Sequence, residues 1–266
     1  MLKLNKELVD NILAVSFPDL EKNEQQAYLK DHSKRILYTF NKILEQSLPD
    51  GAKVLDLGAK PYLLAYFVKK FSKLNYIGVG YSIKELAGEA AKEAFYEKLP
   101  VEQTTLNLGE EISFPMWQLN IERAREPFAD NSIDLIVCTE TVEHLVQDPN
   151  FLISEIYRIL KPGGKLIFSV PNAIYWGRIL KLALGKNIDD PYSIHGPYGR
   201  HNRNYTKQEV LNMMRRNNFK KLELGTKNFT ELEVPLQKRL VRMLGDFLNF
   251  PFPNRIGKTV FGIFEK

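Results

Sequence analysis

The chain has 266 residues, 44% hydrophobic and 11% aromatic, with a formal net charge of +5. This excludes a disordered chain and suits one large folded domain with small additions. The single cysteine excludes an internal disulfide or a cysteine-ligated metal cluster, and no run of about eighteen apolar residues marks a membrane span. The N-terminus, MLKLNKELVDNILAV, lacks a signal-peptide core, so a soluble, reduced, cytoplasmic setting is expected.

Residues 1–50 read as a helical N-terminal cap in which Leu37, Phe40 and Leu44 share a face. A short buried strand follows over Lys53–Leu57, then a helix over Pro61–Phe71 with Leu63, Leu64, Phe67, Val68 and Phe71 inward. A second strand runs from Asn75 to Gly80. Ser82, with Glu85 three residues on, forms a capping-box pattern for a helix reaching Leu99. No period holds from Pro100 to Pro115, which reads as a loop or lid, and Trp117–Ile121 is the third strand. Ile133–Thr139 is apolar and β-branched, as in a strand covered on both faces. Cys138 inside it reads as a core thiol. Asp148-Pro149 opens a helix with Phe151, Leu152, Ile156, Ile159 and Leu160 at helical spacing; Lys161-Pro162-Gly163-Gly164 stops it, and Lys165–Val170 is the fifth strand. Thr206 caps a helix over Lys207–Asn217, Phe219–Phe229 is a sixth strand, Pro235–Phe250 a helix and Lys258–Phe264 a seventh strand. The alternation predicts a doubly wound, mostly parallel α/β sheet over 51–266, with an insertion at about 173–205.

Pro127-Phe128, Asp134, Glu143-His144, Leu160-Lys161-Pro162-Gly163-Gly164 and Pro171-Asn172 together resemble the fourth and fifth strands of class I S-adenosylmethionine-dependent methyltransferases. The resemblance implies a Rossmann-like sheet of seven strands, S-adenosylmethionine as cofactor, and binding beyond the carboxyl ends of the strands. It assigns Asp56, Gly58 and Ala59 to the first turn, where the family usually has acid-x-Gly-x-Gly-x-Gly; Lys60 and Tyr62 depart from that pattern. It assigns Gly80 and Tyr81 to the end of the second strand, where the family places an acid for the ribose hydroxyls. Such a carboxylate contributes about 1.5–3 kcal/mol per bond, and its loss weakens the cofactor unless Tyr81, Ser82 or water substitutes. By resemblance the turn Asn120-Ile121-Glu122 reaches the adenine, with Asn120 or Glu122 for its amino group and Ile121 for its face, and Thr139 and Glu140 face the sulfonium end.

Glu140, Glu143 and His144 have i, i+3, i+4 spacing, one face of a helix if a helix begins there. Ubiquinone-pathway O-methyltransferases carry E-x-x-E-H and can hold a divalent cation at it; the adopted reading is a polar helix start without metal. The run from Tyr192 to Thr206 resembles the substrate element of sugar-modifying members. His144, His195 and His201 are the candidate bases, and Arg203 a candidate anion clamp. Tyr175-Trp176 covers the site or extends the core. T-E-T-V after the fourth strand replaces the N/D-P-P-Y/F of DNA amino methylation.

The expected function is methyl transfer to an oxygen of a small-molecule or glycan-like acceptor. A methyltransferase-like binding module without catalysis is the alternative suggested by Lys60, Tyr62 and Gly80. The late basic residues, among them Arg215, Arg216, Lys220 and Lys221, suggest RNA methylation as a further one, although a nucleic-acid partner is not the favoured reading.

Overall fold

Buried β-branched runs set the centre of the fold. In the computed structural model, which describes residues 1–17, 21–80, 96–98, 102–105, 111–192, 196–229, 231–232 and 255–266, the strands are β1 (Lys53–Leu57), β2 (Asn75–Val79), β3 (Tyr96–Lys98), β4 (Glu102–Thr105), β5 (Glu111–Phe114), β6 (Met116–Leu119), β7 (Ile133–Thr139), β8 (Leu160–Pro171), β9 (Lys220–Lys227) and β10 (Thr259–Glu265). The helices are α1 (Lys6–Ala14), α2 (Lys22–Leu44), α3 (Leu63–Phe71), α4 (Asn150–Ile159), α5 (Trp176–Ala183) and α6 (Lys207–Arg216).

One sheet runs in the order β3-β6-β2-β1-β7-β8-β10-β9. The pairs from β6 to β8 are parallel, whereas β10 is antiparallel to both β8 and β9. The seven expected strands are therefore present, with β3 added antiparallel at the edge. Strand order reverses at β1, between β2 and β7, which opens a cleft at their carboxyl ends.

Three sequence expectations are corrected here. Tyr96–Lys98, expected to end a helix, is strand β3, because its backbone pairs with β6. Part of the expected loop 100–115 pairs as β4 and β5, a period too short to register in a helical window. Lys161-Pro162-Gly163-Gly164 stops α4 by turning directly into β8, where the Gly163 N–H donates to the Lys266 carbonyl and Gly164 accepts from the Lys266 N–H. The Ser82–Glu85 cap and the Pro235–Phe250 helix lie outside the described residues.

Two apolar clusters flank the sheet. On one side α1, α2 and α3 contribute Ile12, Leu29, Phe40, Ile43 and Phe67, and on the other α4 and α6 contribute Ile153, Ile156, Val210 and Met214. Each such side chain, fully buried, contributes about 1.5–3 kcal/mol. Within α4 the buried stripe is Leu152, Ile153, Ile156 and Ile159, while Phe151 remains exposed. Arg158 of α4 explains the preceding Pro127-Phe128 turn: its guanidinium donates to the carbonyls of Glu126 and Phe128 and to the carboxylates of Asp130 and Glu155. Asp134 accepts from the Lys53 N–H and from Lys161 Nζ, pinning the starts of β1 and β7. Cys138 is fully buried and burial raises its thiol pKa, so it is a core residue.

Candidate active site

The cleft is shaped by backbone that side chains would fill. Gly58, after β1, has φ +83°, and a Cβ there would come within 2.9 Å of Thr141 Cγ2. Thr141 is itself fixed, its Oγ1 donating to the Leu57 carbonyl at 3.0 Å. The N–H groups of Gly58 and Ala59 both donate to the Val79 carbonyl, tying the first turn to the end of β2. Gly80 lies beside this turn, where an added Cβ would sit 3.4 Å from the Ala59 nitrogen, an ordinary contact. Asp56 does not stand free: one oxygen accepts from the Tyr76 hydroxyl at 2.6 Å. Its burial raises its pKa to about 6 against the opposing Tyr76 hydrogen bond and Arg35 charge.

Two cavities meet here. The smaller, of about 160 Å³, is bounded by Gly58, Gly80, Asn120, Ile121, Glu122 and Tyr198. The larger, of about 840 Å³, runs from Asp56, Ala59 and Thr139 to one face of α2 and the start of α5. Gly58, Lys60, Glu140 and His144 line both. Of the adenine candidates, Ile121 is half-buried, while the two polar ones carry structural bonds. Asn120 Oδ1 accepts from the Glu122 N–H, and the Glu122 carboxylate accepts from the Val146 and Gln147 N–H groups. The glycine cradle and adjoining slot fit a nucleoside with an extended tail, the shape of S-adenosylmethionine.

The expected helical face at 140–144 does not form. Glu140 adopts φ +53° and its carboxylate accepts from Ser169 Oγ, while Val142–His144 is a single tight turn. Glu143, His144 and His201 instead converge, with ligand-type atoms within 4.8 Å of one another. Both Glu143 carboxylate oxygens and His201 Nδ1 are buried without a hydrogen-bond partner. This set could accept a cation, and equally a shared proton. Burial, together with the Glu140 charge, raises the Glu143 pKa well above the ordinary range. His144 Nδ1–H donates to the Arg200 carbonyl, which leaves Nε2 with the lone pair. The 196–203 segment is strapped to this turn, since the Asn202 N–H donates to the Glu143 carbonyl and Asn202 Nδ2 to the His144 carbonyl.

The structure brings together Asp56, Gly58, Ala59, Gly80, Asn120, Ile121, Glu122, Thr139, Glu140, His144 and His201 around the two cavities. It does not bring Arg203, which pairs with Glu209 at 2.8 Å, stacks 5.4 Å from the Tyr205 ring and borders a separate surface hollow. Tyr81 and His195 lie outside the described residues. Tyr175 lines the large cavity. Sequence reasoning missed the α2 face, Glu24, Tyr28, His32, Arg35 and Thr39, and also missed Arg178 and Lys258. The α2 residues recur at helical spacing and could have been found as a polar stripe opposite the apolar one.

A family model described as a methyltransferase domain matches residues 26–224, well over half of the chain. The ubiquinone biosynthesis O-methyltransferase of Xanthomonas euvesicatoria pv. vesicatoria (strain 85-10) is 30% identical over 122 residues, 46% of this chain and 44% of that protein. The thiol S-methyltransferase TMT1B of Rattus norvegicus is 43% identical over 60 residues, 20% of this chain and 24% of that protein. The chain thus spans less than half the length of these curated relatives. A SAM-dependent methyltransferase structure from Thermotoga maritima superposes with TM-score 0.54 at 19% identity, covering 92% of this chain and 95% of the other. One from Archaeoglobus fulgidus gives 0.51 at 14%, covering 88% and 97%. The sheet order, with β10 reversed between β8 and β9, and the match across residues 26–224 together place the chain in the methyltransferase-domain family, with the class I S-adenosylmethionine-dependent fold.

Proposed function

We propose that the protein transfers a methyl group from S-adenosylmethionine to an oxygen of a small-molecule or glycan-like acceptor held in the large cavity. The observation that carries this reading is the junction of the two cavities at Gly58, Lys60, Glu140 and His144. The cofactor supplies a methyl carbon already electrophilic through its sulfonium. Gly58, Gly80 and Ile121 bound the nucleoside slot, and Glu140 marks the passage to the acceptor. His144, its tautomer set by the Arg200 carbonyl, presents the Nε2 lone pair to take the hydroxyl proton as the acceptor oxygen forms its bond to carbon. Burial lowers the His144 pKa, so the ring is neutral and able to accept at pH 7. Alignment supplies most of the rate in such a displacement. Isothermal titration with S-adenosylmethionine and with its demethylated product tests the reading: saturable binding is expected, and no heat at millimolar cofactor sinks it.

Gly80 and Lys60 favour a second reading, a methyltransferase-like module whose cofactor binding has been lost. The RNA reading has less behind it, because Arg203 and Lys220 are paired with Glu209 and Glu265.

A further inference from the structure

We propose that α5 is a docking helix for an anionic lipid surface: its outer apolar face seats among the headgroups and brings the large cavity to the interface. The docking goes beyond the methyl-transfer reading. Only its consequence, that the acceptor enters from the lipid side, rests on that reading.

An amphipathic helix of a water-soluble domain turns its apolar stripe to the core and its charges to water. In α5 the arrangement is reversed. Tyr175, Arg178 and Lys181, at a spacing of three, line the large cavity. About half a turn round the helix stand Trp176, Ile179, Leu180 and Ala183, and no residue of α5 is buried. Ile179 and Leu180 are each 49% exposed, and Leu182 and Leu184 more so. Of the ten large apolar side chains exposed among the described residues, five fall between Ile174 and Leu184. Single exposed apolar residues are ordinary, whereas a contiguous group marks a contact surface.

The charges around this face select its occupant. Between Ala173 and Ile188 the chain carries Arg178, Lys181 and Lys186 and no acidic residue. Arg255 and Lys258 are exposed beside the start of α5, held there because the Trp176 N–H donates to the Ile256 carbonyl. Asp189 and Asp190 lie beyond the helix, and Asp190 is turned to His201, 3.6 Å from its Nδ1. Two copies of this face packed about a two-fold axis would set like charges together. Anionic headgroups answer those charges while the apolar side chains enter the interface, the arrangement of a helix lying in the membrane plane. No helix among the described residues is long and apolar enough to cross a membrane, so the contact is with the surface. Two turns of helix give reversible binding that needs both the apolar and the electrostatic contribution. The cavity lies behind the same helix, so an amphiphilic acceptor leaves the lipid directly into it.

The test is co-sedimentation of the full chain with phosphatidylcholine vesicles and with mixed phosphatidylcholine–phosphatidylglycerol vesicles at about 7:3. Binding to the mixed vesicles is expected, about tenfold or more tighter than to the neutral ones, and weakened by added salt. The double variant Ile179→Glu, Leu180→Glu is expected to lose about tenfold or more of that binding. Its melting temperature should stay within about 2 °C of wild type, because the side chains it replaces are exposed. Wild type that binds neither vesicle overturns the proposal, as does a double variant that binds as wild type does. A melting temperature lowered by more than about 5 °C shows the face to be packed within the chain and also overturns it. Self-association in sedimentation velocity that the double variant abolishes, without vesicle binding, gives the face to a second copy instead. Vesicle binding by a protein that does not bind S-adenosylhomocysteine keeps the docking and removes the methyl-transfer reading.

Discussion

Thr141 closes over Gly58: its Oγ1 donates to the Leu57 carbonyl at 3.0 Å, and its Cγ2 would stand 2.9 Å from any Cβ added at Gly58. The contact ties the turn after β7 to the turn after β1, joining the two walls of the cleft.

Gly58→Ala is therefore expected to lose both stability and cofactor affinity. A side chain at φ +83° costs of order 1–3 kcal/mol before the clash with Thr141 is counted. Thermal unfolding and cofactor titration measure the two effects. Adding Thr141→Ala should recover the part due to the clash, leaving the backbone cost. Wild-type affinity in the single variant would mean that the turn is not part of the cofactor cleft.

Gly80→Asp should strengthen cofactor binding. The new Cβ has room beside Ala59, and a carboxylate there can accept from ribose hydroxyls, for a gain of about tenfold. A gain on this scale marks a retained but weakened slot. Binding that stays undetectable in both forms supports the module reading instead.

His144→Gln should lower kcat about 10²-fold with little change in cofactor affinity, since it removes a base that acts in the displacement. Chelation separates the two uses of the Glu143–His144–His201 cluster. Unchanged turnover after EDTA dialysis fits proton transfer. A loss restored by added zinc or magnesium assigns the cluster to a metal.

Glu126 gives a pH dependence unrelated to catalysis. It is fully buried with both oxygens unpartnered, and desolvation with the Glu155 charge raises its pKa to about 8 against the opposing Arg158. The unfolded chain releases this proton near its ordinary value of 4.5, while the native state keeps it to about 8. Between those values the native state binds more protons, so stability falls as pH rises, by a few kcal/mol in all, on the order of 1.4 per pH unit at most. Glu126→Gln should raise the melting temperature by an amount that grows from pH 5 to pH 8. An increment constant over that range would exclude this carboxyl as the source.

The sheet was legible because its information is local. Ile133–Thr139 is nearly all apolar, and Thr206 is the helix cap expected of it, its side chain accepting from the Glu209 N–H. The first turn and the end of the second strand were legible as far as Asp56, Gly58 and Gly80, whose positions follow from the strand ends. What could not be read was which side chains would be spent on structure. Glu122, an adenine candidate in sequence, also accepts from the Val146 and Gln147 N–H groups while lining the slot. Arg203 looks like a clamp beside His201, yet the chain turns it toward Glu209. His201 joins His144 only because Asn202 straps its segment to the 143–144 turn.

By itself, then, the sequence determined the order of elements and the backbone openings of the cleft, since hydrophobic period, caps and glycine positions act over a few residues. The tertiary structure alone decided what lines the large cavity. Arg35 and Arg178 are 143 positions apart in the chain and no local rule relates them. They meet at one cavity because α2 packs over the sheet and α5 starts beside it.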